Sequence, residues 1–274
     1  MFENILENVH QKSPLIHCIT NYVTVNDVAN AILACGASPI MADSIEEVED
    51  ITSICSATYI NIGTLNERTV DSMIKAGKKA NHMNHPVVLD PVGAGASRFR
   101  TDTLFKLLNE IDFTVIRGNI SEIKTIYTRS GKTKGVDADV KDRIREDTLD
   151  DAILLAKGIS SRLGSVIAIT GPIDIVADEN RAYVIYNGHP MMSRITGTGC
   201  MLTGLIAAFV AANRENITEA VAAAVTIMGL SGELGYRRMK ENNEGTSSLR
   251  SYLIDEISKM DAGILKGGMK VEIR

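Results

Sequence analysis

Short apolar runs alternate with segments whose apolar residues recur every three or four positions, and this alternation runs through most of the chain. Phe2, Ile5, Leu6 and Val9 lie on one face of a predicted first helix, which Ser13-Pro14 ends. Leu15 to Thr20 then predicts a strand, and Val25, Val28, Ala29, Ile32 and Leu33 predict a helix stopped by Gly36. The pattern repeats, with strands over 39–41, 58–62, 87–90 and 113–116 and helices over 45–54, 67–81 and 103–111. From Thr128 to Asp150 the composition turns polar with mixed charge, the mark of an exposed excursion. A helix over 150–163 and the strongest strand of the chain, 165–170, come next. Segments 173–177 and 182–186, joined by a turn at 178–181, predict a hairpin and hence an antiparallel sheet edge. Three helices are predicted last, from Cys200 to Ala212, from Thr218 to about Met239 and from Ser247 to about Met260, while the tail from Gly263 predicts a weak strand at most. With no internal repeat and no low-complexity linker, one domain over 1–274 is expected. Its fold class is α/β, a mostly parallel central sheet with helices on both faces.

Composition narrows the function classes. The 274 residues are 45% hydrophobic but only 4% aromatic, with no Trp, so aliphatic residues and Met fill the core. A formal charge of −5 offers no basic surface for nucleic acid. Cys18, Cys35, Cys55 and Cys200 lie far apart, without a C-x-x-C pair or histidines at zinc-ligand spacing, so structural thiols are expected. The acidic N-terminal segment lacks the order of a signal peptide, and the apolar runs read in the sequence fall short of a bilayer span. The expectation is a soluble cytoplasmic protein that binds neither nucleic acid nor membrane.

One stretch organises the candidate chemistry. Arg194-Ile-Thr-Gly-Thr-Gly-Cys200 runs straight into an apolar helix, so Gly197 and Gly199 let the backbone approach an anion while the amides of the first turn, Thr198 among them, point at it. At that terminus the helix dipole favours a thiolate at Cys200. The same residues also fit an ordinary N-cap at Thr196 or Thr198 with Cys200 as a small buried hydrophobe. Ligands of open α/β sheets sit beyond the carboxyl ends of the strands, where Asp90, Arg117 and Thr170 each end a predicted strand. Asp90 and Glu122 suit Mg²⁺, directly or through water, but also a cap and a solvated helix position. Arg117 suits phosphate oxygens or a surface ion pair, and Thr170 a phosphate contact or a turn cap. Asn21, Met41, Gly63 and Thr64 follow the early strands, where a weakly polar ligand would bind, although Met41 equally suits the core. Gly93-Ala-Gly95 lacks the third glycine of a dinucleotide fingerprint and no Walker P-loop is present, so the phosphate cradle is of another kind.

Five segments in order give these positions a context: Thr20-Asn-Tyr-Val-Thr-Val-Asn26, Pro39-Ile-Met-Ala42, Leu89-Asp-Pro-Val-Gly-Ala-Gly95, Arg117-Gly-Asn-Ile-Ser-Glu122 and Thr196-Gly-Thr-Gly-Cys200. Together they resemble the ribokinase-like superfamily, most closely its hydroxyethylthiazole kinases. The resemblance implies a three-layer fold and phosphorylation of a thiazole alcohol by ATP with Mg²⁺, in thiamine biosynthesis or salvage. It implies that Gly197 to Cys200 form an anion hole, with Thr198, Gly199 and Cys200 as the catalytic set, and that Asn119 and Glu122 match an N-x-x-E element that organises Mg²⁺ near Asp90. Arg117, Thr170 and Asn119 are then ATP contacts, and Met41 and Gly197, with Asn21, Gly63 and Thr64, thiazole contacts. The adjacent triphosphate opposes the dipole at Cys200. Most relatives carry Asp as the base at the end of G-x-G-D; Cys200 departs from them and matches the thiazole kinases. A homotrimer with pockets at subunit contacts is implied as well. Alternative readings are a related vitamin kinase acting on hydroxymethylpyrimidine or pyridoxal, a nucleotide-dependent dehydratase, and a silent sensor of ATP or a thiazole.

Overall fold

The computed structural model describes residues 2–128 and 144–274. Nine strands form one sheet: β1 (Leu15–Ile19), β2 (Ser38–Met41), β3 (Ala57–Asn61), β4 (Val87–Asp90), β5 (Val115–Asn119), β6 (Val166–Thr170), β7 (Asp174–Ala177), β8 (Ala182–Ile185) and β9 (Val271–Ile273). Their order is β2-β1-β3-β4-β5-β6-β7-β8-β9. Pairings from β2 through β6 are parallel, and those from β6 to β9 are antiparallel. The hairpin expected after 173 is therefore present, and it closes the parallel sheet on one side.

Side-chain alternation sends successive strand residues to opposite faces. Val88 faces one apolar core, while Val87 and Leu89 face the other. Helices α1 (Glu3–Lys12), α2 (Val25–Ala34), α8 (Thr198–Ala212), α9 (Ile217–Glu241), α10 (Thr246–Ser258) and α11 (Ala262–Gly268) cover the first face. Helices α3 (Val48–Ile54), α4 (Glu67–His82), α5 (Arg98–Glu110), α6 (Ile120–Thr128) and α7 (Leu149–Leu163) cover the second. This is the three-layer α/β arrangement that the alternation predicts.

Several boundaries differ from the sequence reading for local reasons. Helix α5 begins five residues early because Ser97 Oγ accepts the Arg100 amide at 3.2 Å and caps it. Strand β5 lies nearer its carboxyl end than 113–116, since backbone pairing with β6 continues through the polar Arg117–Asn119. The tail holds a helix, α11, capped by Asp261 Oδ1 at 2.8 Å from the Ile264 amide, before its edge strand. Helix α9 has 25 residues and is apolar enough to cross a membrane, contrary to the shorter runs read from the sequence, yet 78% of its apolar window is buried in the fold. It is a core helix on this evidence. Most of the excursion expected between Thr128 and Asp150 lies outside the described residues; of it, Glu146–Thr148 forms a single 3-10 turn leading into α7. The four cysteines are free and buried.

Candidate active site

The register of the parallel strands builds the site. Asn61 at the end of β3 sits opposite Asp90 at the end of β4, and both lie at the sheet edge where the parallel strands finish. Helix α8 covers them, with its N-terminus at that edge. Gly197 is its N-cap, at φ +86, and a Cβ there would stand 2.6 Å from Thr24 Cγ2, so both the left-handed backbone and the close contact require glycine. No side chain caps this helix, which leaves the amides of its first turn, Thr198, Gly199 and Cys200, without acceptors inside it. At Gly199 a Cβ would collide with the Arg117 guanidinium, which packs directly on that backbone. Arg117 NH2 donates to Thr170 Oγ1 at 2.5 Å, and NH1 is 3.6 Å from Asp90 Oδ1.

Asp90 is fully buried. Its Oδ2 accepts from Asn61 Nδ2 at 3.0 Å, Thr203 Oγ1 at 3.0 Å and Tyr59 Oη at 3.4 Å, whereas Oδ1 has no hydrogen-bond partner. Burial pushes the Asp90 carboxyl up, with Arg117 and the three donors pulling it down. Burial also works against the charge on Arg117, but Asp90 and Glu122 hold it on more strongly. Glu122 Oε1 accepts the Gly93 amide and Oε2 the Asn119 amide, both at 2.8 Å, while Asn119 Oδ1 accepts the Glu122 amide at 2.9 Å. The N-x-x-E element is thus a reciprocal cap on α6 that also tethers the Gly93 turn. Burial and the nearby Asp90 push Glu122 up to about 7 against those two amides and Arg117. A buried Asp90 oxygen that makes no hydrogen bond, faced only by Arg117 at 3.6 Å and lying beside this second carboxylate, fits a hard divalent cation: Asp90 Oδ1 keeps lone pairs to ligate, and Glu122, already bonded at both oxygens, suits a contact through water. Among the described residues no group of three or more His, Cys, Asp or Glu gathers as a metal site, here or elsewhere, so these two carboxylates would need phosphate oxygens and water to complete the coordination.

Cys200 is buried in the first turn of α8, with Asn21 Nδ2 at 3.3 Å and Asn61 Nδ2 at 3.4 Å donating to its sulfur. Burial and the Asp90 charge push its thiol up, and Thr24, Arg117 and Asn21 offset this only in part. Loss of water thus works against the thiolate that the helix terminus favours. Asn21 is fully engaged, since its Oδ1 accepts both the backbone and hydroxyl of Thr24 at 3.1 Å and its Nδ2 also reaches Asn61.

The structure therefore brings Cys200, Gly199, Thr198, Gly197, Asn21, Gly63, Asp90, Arg117, Thr170, Asn119 and Glu122 to one end of the sheet. Thr64 stands beside them, its hydroxyl accepting the Tyr22 amide at 3.3 Å. Met41 stands apart, 37% exposed at the end of the outermost strand β2. The Gly93 turn is no phosphate cradle, because the amides of Val92, Gly93, Gly95 and Ala96 are all taken within the protein. The sequence reading missed four buried groups, Tyr59, Asn61, Thr203 and Thr24, together with Arg100, whose guanidinium joins the Gly63 and Val92 carbonyls at 2.6 and 3.3 Å. Tyr59 and Asn61 carried a signal: two polar side chains two apart near the end of a buried strand share one face.

Comparison with known proteins gives this arrangement a family. Residues 6–263 match the Hydroxyethylthiazole kinase family. A hydroxyethylthiazole kinase of Clostridium acetobutylicum is 58% identical over 272 residues, covering 99% of each chain. The structure of a hydroxyethylthiazole kinase protein from Pyrococcus horikoshii OT3 superposes with a TM-score of 0.87 at 35% identity, covering 100% of this chain and 98% of the other. A ribokinase-like superfamily protein of Enterococcus faecalis V583, at a TM-score of 0.62 and 14% identity over 93% and 88% of the two chains, shares the fold.

Proposed function

This chain belongs to the hydroxyethylthiazole kinase family, and from that membership we propose that its sheet-end pocket transfers the γ-phosphoryl of ATP to the hydroxyl of 4-methyl-5-(2-hydroxyethyl)thiazole. The observation that carries the reading is the meeting of the α8 amides, Arg117, Asp90 and Cys200 within one buried network. Phosphoryl transfer passes through a loose transition state in most analyses, so alignment and stabilisation of the equatorial oxygens dominate. The amides of Thr198, Gly199 and Cys200 and the Arg117 guanidinium face those oxygens, with Thr170 holding Arg117 by its NH2. Asn119 sits at the nucleotide side, where Glu122 fixes its backbone. Mg²⁺, held by Asp90 and through water by Glu122, would neutralise phosphate charge when bound.

The acceptor lies between Cys200 and the loops after β1 and β3, with Gly197, Gly63 and Thr64 forming its walls and Asn21 acting through the sulfur, while Met41, apart from them on β2, bounds only its outer side. Cys200 Sγ orients the acceptor hydroxyl; the minority of molecules in which it is a thiolate take the hydroxyl proton late, after the new O–P bond has begun to form, and in the rest, where burial keeps the thiol protonated, that proton passes to an oxygen of the transferred phosphoryl group. The assembly is a homotrimer in the cytoplasm, with each pocket completed at a subunit contact. Supporting this, Tyr22 and Val23, which follow β1 beside the pocket, are 79% and 59% exposed.

Incubating the purified protein with ATP, Mg²⁺ and the hydroxyethylthiazole yields the phosphate ester, detected by mass. Turnover of hydroxymethylpyrimidine or pyridoxal instead, or nucleotide binding without any product, would replace this reading.

A further inference from the structure

Asn61 is almost entirely buried and lies where the β3–β4 register forces it under the first turn of α8. The Gly63 amide, 2.8 Å from Oδ1, fixes which end of the carboxamide is oxygen, and Asn21 Nδ2 at 3.1 Å takes that oxygen's second lone pair. The amino end then has two hydrogens for three acceptors: Tyr59 Oη at 2.9 Å, Asp90 Oδ2 at 3.0 Å and Cys200 Sγ at 3.4 Å. Asp90 Oδ2 also has the Thr203 hydroxyl at 3.0 Å, and the one hydrogen of Tyr59 Oη goes either to the Cys200 carbonyl at 3.2 Å or to Asp90 at 3.4 Å. The sulfur has Asn21 besides, with the Thr24 hydroxyl also against it. Among the described residues, Asn61 is the one side chain that hydrogen-bonds both the Cys200 sulfur and the Asp90 carboxylate.

We propose that Asn61 is a positioning residue for phosphoryl transfer: its carboxamide fixes the Cys200 sulfur at a set distance from Asp90, so that the acceptor hydroxyl is held in line with the phosphate. This rests on the kinase reading above. Without the bridge the sulfur keeps its contacts to Asn21 and Thr24, but neither of these ties it to the Asp90 carboxylate. Since misplacement of an aligning group by about 1 Å costs as much as 100-fold, the loss falls on turnover, and ATP affinity stays where Arg117 and the α8 amides set it.

The test is a double-mutant cycle on the full chain, with turnover of the thiazole alcohol and ADP affinity measured for wild type, Asn61→Ala, Cys200→Ala and the pair. Asn61→Ala is expected to lower kcat by roughly 10- to 100-fold in the wild-type background, but only about threefold or less where Cys200 is already Ala, with ADP affinity unchanged within about twofold. Asn61→Ser, which leaves a hydroxyl near the Gly63 amide but lacks the reach to the sulfur, should behave as Asn61→Ala and serves in its place if that variant does not fold. Equal losses in both backgrounds, or full turnover in Asn61→Ser, overturn the proposal while leaving the kinase reading intact. A wild type that makes no phosphate ester overturns both.

Discussion

At Cys200 the question is how much of catalysis a buried thiol carries. Its pKa is pushed up, so little thiolate is present at neutral pH, while the amides and Arg117 proposed to stabilise the transferring group do not depend on it. Cys200→Ala should therefore lower kcat by about 10- to 100-fold and leave measurable turnover, because general-base assistance contributes about 100-fold or more only when proton transfer is well advanced. Cys200→Asp should keep or raise turnover, since the two asparagine N–H donors that meet the sulfur would meet a carboxylate oxygen. Complete loss in a folded Cys200→Ala would contradict this account. Gly199 gives a complementary prediction. An alanine there suits a helix better by up to about 1 kcal/mol, yet its Cβ would displace the Arg117 guanidinium from the backbone it packs on. Gly199→Ala should thus weaken ATP binding and lower kcat at least tenfold, with a melting temperature close to wild type; parallel falls in both would mean that the glycine serves packing alone. The candidate residues legible in the sequence were those whose type is unusual at a strand end, such as Asp90 and Arg117, or whose glycines cluster, such as Gly197 and Gly199. Asn61 was not, because an asparagine near a strand end is ordinary until the register shows what faces it.

Turns set the pH response at the scale of elements. Between β6 and β7, Asp174 Oδ1 accepts the Gly171 amide at 2.8 Å and closes the turn that presents Thr170 to Arg117. Burial pushes the Asp174 carboxyl up to about 7, with the Gly171 amide and Arg117 pulling it down. A folded-state value above the unfolded one of about 4 means the folded chain holds that proton more tightly, so the group's contribution to stability falls as pH rises from about 4 to about 7 and is level above. Asp174→Asn keeps an acceptor for Gly171 and removes the titration. Melting temperatures of the nucleotide-free proteins between about pH 5 and about pH 8 should then fall less steeply for the variant, which gains on wild type at the alkaline end. Glu122, pushed up to about 7 as well, tilts both curves alike, so the difference isolates Asp174. Identical curves would refute the assignment. Periodicity located eight of the nine strands at least approximately, since burial on one or both faces leaves a strong apolar trace; β9, largely exposed, left only the trace of a weak strand in the tail. Periodicity failed where backbone chemistry rather than burial decides: the Ser97 cap that starts α5 among arginines, the pairing that carries β5 through Arg117–Asn119, and the Asp261 cap that starts α11 in a tail with few apolar residues.

The sheet order decides which parts of the molecule one chain completes by itself. Strand order β2-β1-β3-β4-β5-β6-β7 puts Asp90, Arg117 and Thr170 on interior strands, each with a neighbouring strand on both sides. The proposed acceptor side falls instead toward the outer strand β2, where Met41 is 37% exposed and Tyr22 and Val23 are exposed after β1. A kinase must keep water from competing with its acceptor, and an open apolar wall on that side does not exclude it. The two halves should therefore respond differently to loss of subunit contacts. In solution the protein should have the mass of three chains, and Val23→Glu, which places a charge in the apolar wall, should shift it toward one. The isolated subunit should bind ADP as before, because the Arg117, Thr170 and α8 contacts lie within one chain. Its KM for the thiazole alcohol should rise about tenfold or more, and slow ATP hydrolysis should appear as water reaches the γ-phosphoryl. A wild type that is monomeric and fully active would show that a single chain closes its own pocket, and that Tyr22, Val23 and Met41 fold over the acceptor when it binds.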